Sequence, residues 1–302
     1  MRKRLLGIAL LVAATQGRIA GAQVSAVPGR DLLSFPIGQI AEAPALPGML
    51  AVGLFNPAGT LLPEGSRWRL SVGSMSTPAD VGASAVAFGA STRWRGSTVT
   101  ASLARAAVAG LVKTDSDPLT VGNDVAYSTF VASLGAARQA TERIVVGAAL
   151  RGRTGRLDVT RRHALSIDVG FVAEHLTRLD LRVGAATFLA TPGRAADEPP
   201  TWFASADVRV AATDSLHTVR FGVSASVTAH RPSEQFMFAS ARFGAWEIRG
   251  GPARTVAYGE TNVRLRLGMG LRYYGYVVAI AREESPAGLA PSYQFVLSSL
   301  IR

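Results

Sequence analysis

From Asn262 to Tyr273 the chain alternates without a break. Val263, Leu265, Leu267, Met269, Leu271 and Tyr273 fall on one parity, and Asn262, Arg264, Arg266, Gly268, Gly270 and Arg272 on the other. Successive side chains of a strand point to opposite faces, so an extended segment here has one apolar and one cationic face. A helix would mix the two sets. The same period recurs where Leu179, Leu181, Val183 and Ala185 oppose Arg178, Asp180, Arg182 and Gly184, and where Leu165, Ile167, Val169 and Phe171 oppose Ser166, Asp168 and Gly170. It recurs again where Phe221, Val223, Ala225 and Val227 oppose Arg220, Gly222, Ser224 and Ser226, and where Trp68, Leu70 and Val72 oppose Arg67, Arg69 and Ser71. Segments of about ten residues, apolar on one face and polar on the other, are the pattern of membrane-spanning strands.

Read this way, strands are expected over 66–76, 82–93, 97–109, 123–137, 142–152, 162–173, 178–190, 200–211, 217–229, 235–243, 245–250, 261–273, 275–282 and 291–301. The eleventh is taken to end early because Gly250, Gly251 and Pro252 interrupt it. Connections near 94–97, 138–141, 174–177, 212–216, 244 and 274 read as tight. Those near 77–81, 110–122, 153–161, 191–199, 230–234, 251–260 and 283–290 read as mostly longer and richer in Gly, Pro and acidic residues. Short turns on one side and longer loops on the other suit a membrane barrel and not a soluble sandwich. Trp68, Trp94, Trp202, Trp246, Tyr273, Tyr274, Tyr276 and Tyr293 fall near strand ends, where aromatic girdles form. The expected fold is therefore all-β: a closed antiparallel transmembrane β-barrel of about fourteen strands over residues 65–302.

The N-terminal 64 residues are different. Arg2, Lys3 and Arg4 precede the apolar run from Leu5 to Ala14, and Ala20-Gly21-Ala22 supplies small residues at the spacing a signal peptidase reads. This predicts a signal peptide over 1–22 with cleavage between Ala22 and Gln23. Residues 23–64 hold Pro28, Pro36, Pro44, Pro47, Pro57 and Pro63 and no sustained alternation, so they read as an irregular segment that packs on or inside the strand series. No later run reaches the roughly 18 apolar residues of a membrane-spanning helix. Yet hydrophobic residues make up 48% of the chain and charged ones only 18%, below the quarter usual in soluble domains. Apolar surface without apolar helices is what a lipid-facing barrel produces. The net charge of +11 comes from arginines dispersed along the chain, and export argues against a nucleic-acid partner. With no cysteine, neither disulfides nor thiolate chemistry is available.

Two stretches carry a family resemblance. Gly48-Met49-Leu50-Ala51-Val52-Gly53-Leu54-Phe55 leads into Asn56-Pro57-Ala58-Gly59 just before the first strand. Tyr274-Gly275-Tyr276 through Gly288-Leu289-Ala290-Pro291-Ser292-Tyr293-Gln294-Phe295 forms the close. Both resemble the FadL-like outer-membrane β-barrel superfamily, including its PorV/PorQ-type barrels associated with type IX secretion. The resemblance implies a fourteen-stranded barrel with residues 23–64 as an N-terminal plug. The Gly-rich repeats usual upstream of the motif are thin, and the chain closes on Leu300-Ile301-Arg302 and not on a terminal aromatic.

Catalysis finds little footing. His163, His175, His217 and His230 have no metal-ligand spacing. His163 and Asp168 have opposite parity on one strand, so they cannot form a dyad with Ser166 nearby. No enzyme activity and no cofactor are expected. The inward polar face is the better lead: Arg67, Arg69, Asp168, Arg178, Asp180, Arg182, Asp207, Arg209, Arg220, Arg264 and Arg266. Rings of arginine favour anionic solutes in an open channel, whereas Arg–Asp pairs would crosslink a filled interior. The FadL resemblance implies passage of hydrophobic or amphipathic small molecules, with the plug as a gate and a lateral opening as an exit. Leu32, Leu33, Phe35, Leu54 and Phe55 are then candidates to line a greasy cavity. The PorV/PorQ resemblance implies an accessory barrel that binds a secreted protein partner. A purely structural barrel is the third alternative. Outer-membrane lipid is the common partner of all three.

Overall fold

A computed structural model describes residues 27–33, 41–48, 50, 53–78, 81–113, 124–191, 198–214, 216–229, 233–257, 260–285 and 290–301. The signal segment, the Ala22–Gln23 junction and Phe35 lie outside these residues. Fourteen strands follow one another: β1 (Trp68–Ser76), β2 (Ala83–Trp94), β3 (Ser97–Val108), β4 (Tyr127–Thr141), β5 (Ile144–Leu157), β6 (Thr160–Ala173), β7 (Arg182–Phe188), β8 (Thr201–Ala212), β9 (His217–Thr228), β10 (Ser233–Phe243), β11 (Trp246–Ala257), β12 (Glu260–Tyr273), β13 (Tyr276–Glu283) and β14 (Ser292–Ile301). Each pairs antiparallel with its neighbours in sequence, and β14 returns to β1, so the sheet closes. Closure removes both sheet edges, which is the condition for placing strands in hydrocarbon.

The two parities of each strand meet different surroundings. Outer-register side chains such as Leu103, Leu134, Leu150 and Leu267 are about half exposed, while inner-register Ala104, Val131, Arg151 and Arg266 are buried. An apolar belt with no protein against it is matched to lipid. Trp68, Trp94, Trp246, Tyr273, Tyr274 and Tyr276 stand exposed at the tight-turn end of the barrel, and Trp202 and Tyr293 near the other end. Inside, hydroxyls pair across strands: Ser71 with Ser298 at 2.7 Å, Ser91 with Thr100 at 2.8 Å and Ser205 with Ser224 at 2.9 Å. Such pairs satisfy polar groups that water no longer reaches.

The expected strand number and order hold, but several boundaries differ. β4 runs over Tyr127–Thr141 and not 123–137, so the tight turn expected at 138–141 is Glu142-Arg143. β11 runs through Gly250-Gly251-Pro252 to Ala257, so no long loop spans 251–260. Its pairing to β10 joins Phe236 to Ala253 and Ala239 to Gly250, and skips the two positions between. Proline has no N–H to give there, and a Cβ on Gly251 would come 2.0 Å from the Met237 carbonyl oxygen. The expected 153–161 loop is instead a hairpin, with only Asp158 and Val159 between β5 and β6. The connection expected to be tight at 174–177 extends to Leu181, because β7 starts at Arg182. β7 also stops at Phe188, two residues earlier than expected.

Candidate functional site

The inner wall is shaped to receive backbone. Gly147, Gly155, Gly170 and Gly184 share the inner register of β5, β6 and β7. A Cβ on Gly155 would meet the Pro28 carbonyl oxygen at 1.9 Å, and one on Gly184 the Ala45 carbonyl oxygen at 2.1 Å. A Cβ on Gly147 would meet the Ala58 nitrogen at 2.5 Å, and one on Gly170 the Asn56 Oδ1 at 2.2 Å. No real Cβ tolerates those distances. The described parts of residues 27–60 therefore lie against this wall only because side chains are missing from it.

Asn56 is the hub of the contact. Its Oδ1 accepts from the Ala58 N–H at 2.9 Å, which caps the short 3-10 turn Pro57–Thr60. Its Nδ2 donates to the Ala45 carbonyl at 2.6 Å and to the Phe171 carbonyl of β6 at 3.2 Å. One side chain thus joins two pieces of the N-terminal segment to the barrel. Around it Leu32, Leu33, Leu50, Leu54 and Phe55 are buried against inner-register residues of the barrel. Phe55, Phe188 and Phe203 form a triad with ring centroids 5.3–6.0 Å apart. Leu32, Leu33, Leu54 and Phe55 thus fill apolar space as packed core.

Five of the eight expected inward arginines, Arg182, Arg209, Arg220, Arg264 and Arg266, meet carboxylates, as do Arg151 and Arg153. Asp168 on β6 accepts from Arg151 Nε and from the Ala190 N–H at 2.9 Å, and Arg151 also donates to the Gly53 carbonyl at 3.0 Å. The Arg151 guanidinium lies over Phe188, 5.3 Å from the ring centroid. Glu198 accepts from Arg153, from Arg30 and from the Val27 N–H, which ties the start of the described chain to β5. Asp207 takes Arg182 in a two-bond fork at 2.9 and 2.5 Å and Arg220 at 2.8 Å. Arg220 reaches Asp180 at 2.7 Å, and Arg209 lies 3.7 Å from that carboxylate. Arg264 and Arg266 share Glu234 and Glu283 at 2.7–3.5 Å.

Three of the expected inward residues, Arg67, Arg178 and Asp180, sit elsewhere than on a strand. Arg178 is exposed in the 174–181 connection, and Asp180 is buried at its end with φ 51°. Burial alone would raise the Asp180 carboxyl, but the Arg220 hydrogen bond and charge, with His175 and Arg209, hold it below the ordinary aspartate value. Arg69 lies on the inner register of β1, and Arg67 is exposed just before that strand. Arg30, Arg151, Arg153, Glu198, Glu234, Glu247 and Glu283 were not anticipated. Parity signalled Arg151. Arg153 lay beyond the expected end of β5, Glu247 pairs with Arg249 two residues on and with distant Arg272, and the others are single charges whose partners are distant in sequence. His163 faces outward with Nδ1 2.9 Å from Thr154 Oγ1, while Asp168 faces inward. The two make no dyad.

The wall is interrupted above β7. β6 pairs with it only from Gly170 to Ala173, against Val183 to Ala186. Beyond that, Val169 N–H donates to Thr187 Oγ1 at 2.9 Å and Ile167 N–H to the Ala190 carbonyl at 2.9 Å. Leu189 ends the strand at φ 56° and is itself buried. A left-handed conformation in a bulky residue is strained, and it redirects the chain at this point. The β6 edge from Thr160 to Ser166 has no strand partner on that side among the described residues.

No protein-family model matches the chain, and no curated protein matches its sequence. Among solved structures, the Ralstonia pickettii toluene transporter TbuX superposes with a TM-score of 0.59 at 15% identity, covering 88% of this chain and 96% of that one. A deltaS2S3 mutant of TodX, described as a monoaromatic hydrocarbon channel, gives a TM-score of 0.55 at 10% identity, covering 82% and 92%. At these identities the likeness is one of fold.

Proposed function

We propose that this chain is an outer-membrane channel for hydrophobic or amphipathic small molecules, exported by residues 1–22 and gated by residues 23–64. The observation that carries the reading is the apolar patch inside the barrel. Phe55, Phe188 and Phe203 lie next to the interruption above β7, so greasy interior and weakened wall occur together. The arginines support it too. Those paired with carboxylates crosslink the interior and present little free charge to attract anions. TbuX and TodX, whose folds this barrel shares, are described as acting on toluene and on monoaromatic hydrocarbons, which makes toluene the natural first probe. The reading includes no catalytic step. In it the Asn56-centred segment moves off the Gly147, Gly170 and Gly184 wall, and substrate leaves sideways past Thr187.

The chain has no cysteine, so a crosslink can be placed cleanly. Val169→Cys with Thr187→Cys would clamp the last contact between β6 and β7. Labelled toluene uptake by cells displaying the barrel should fall on oxidation and recover on reduction. Equal uptake in both states would remove the side exit. No uptake by the unmodified chain would favour a structural barrel or one that serves a secreted partner.

A further inference from the structure

The outer face carries an uneven charge. Every carboxylate within a described strand lies on the inner register: Asp168, Asp207, Glu234, Glu247, Glu260 and Glu283. Arginines do not obey that rule. Arg105, Arg156, Arg161, Arg254 and Arg282 lie on the outer register at the end of the barrel that carries the β5–β6 hairpin, and Arg138 lies on it near the opposite end. Arg156 and Arg161 are direct cross-strand partners, and among the described residues neither is in an ion pair. Like charges placed opposite each other on a sheet are destabilising unless something answers them.

Below this pair the outer surface is hollowed. Phe88, Leu103, Ala132, Gly152 and Leu165 are consecutive cross-strand partners on β2 to β6, large at the flanks and small in the middle. They border a groove of about 470 Å³, within the ~300–1,000 Å³ range of small-ligand sites. A Cβ on Gly152 would meet nothing within 4 Å, so the floor is open. Two steps along β5 from Gly152 come Thr154 and then Arg156, about 13 Å away at strand spacing.

We infer that this face holds one phosphate-bearing membrane lipid, its acyl chain in the Ala132–Gly152 groove and its phosphate between Arg156 and Arg161. Charge complementarity fixes the occupant. A second barrel would bring the same arginines and no outer-face strand carboxylate to meet them, whereas an anionic headgroup neutralises both and is anchored by its own tail. The groove and the cation pair are independent observations at the ends of one ladder.

The test is native mass spectrometry of the full chain released from micelles with equal phosphatidylglycerol and phosphatidylcholine. The unmodified barrel should retain the anionic lipid over the neutral one by about tenfold. Arg156→Gln with Arg161→Gln should abolish the preference, and Gly152→Val, which fills the floor without a clash, should weaken retention of both lipids. Arg254→Gln, on a distant strand, should change neither. Faster migration of unboiled samples confirms that each variant is folded. Equal retention of both lipids by the unmodified chain would overturn the assignment, as would a preference that survives loss of both arginines. Full displacement by inorganic phosphate with no effect of Gly152→Val would also overturn it, leaving an anion site without a lipid tail. A dimer abolished by Gly152→Val would overturn it in favour of a second copy.

Discussion

Gly184 has room for nothing beyond its hydrogen, since the Ala45 carbonyl occupies the place a methyl group would need. Gly184→Ala should therefore cost about 1–3 kcal/mol of stability, the usual penalty for overpacking, read as a lower urea midpoint in detergent. Gly152→Ala, facing open space on the outside, should not share that loss. Arg151 and Asp168 are fully buried partners. Asp168→Asn leaves an uncompensated guanidinium and should cost about 3–5 kcal/mol, whereas replacing both with apolar residues of similar size should cost much less. Equal losses in the single and double variants would show that coupling is not what holds the pair. Asp180 adds a pH dependence. Its folded pKa is lowered, so it contributes stability above the unfolded aspartate value of ~4 and loses it as pH falls through the folded value. The acid limb of unfolding should therefore flatten in Asp180→Asn.

At the scale of elements, β7 is the weak member of the wall. It is 7 residues long, whereas β4, β5 and β6 have 14 or 15, and its pairing with β6 ends at Gly170. Because Ile167 and Val169 send their N–H groups toward β7, alternation turns those of Arg161, His163 and Leu165 the same way. These amides should exchange with solvent deuterium well before those of Arg162 and Ala164, which face β5. Uniform protection along β6 would mean that the edge is covered and the seam is closed. The interruption at Pro252 differs in kind. β10 and β11 are paired on both sides of it, so it should remain protected at its flanks.

For the whole molecule, a closed sheet with an apolar outside makes unfolding all-or-none with respect to its edges. Unboiled protein from the membrane fraction should migrate faster than boiled protein in electrophoresis. Release into the periplasmic fraction with no heat shift would contradict a membrane-spanning barrel. Conductance in a planar bilayer should be low, because buried leucines and paired arginines occupy the described part of the interior. A large, steady conductance would show that the N-terminal segment does not obstruct the lumen.

Period-2 alternation in Asn262–Tyr273 and its counterparts determined strand, face and strand number, because the side-chain repeat of a strand is a local geometric property that a sequence displays directly. Parity likewise separated His163 from Asp168 without any structure. The termination of β7 was not legible. Leu179 and Leu181 continue the alternation, and only the φ of Asp180 and Leu189, set by contacts with Arg220 and the packed interior, stops the strand. Gly250-Gly251-Pro252 misled in the opposite sense, since a break signal is tolerated where neighbours on both sides keep the ladder in register. Which arginines are neutralised was beyond the sequence as well. Arg151 depends on Asp168 across the β5–β6 hairpin, and Arg153 on Glu198, 45 residues away, a pairing that exists only in the folded barrel. Local periodicity is written in neighbours, while charge pairing and the glycine wall are written in distances that exist only once the chain has folded.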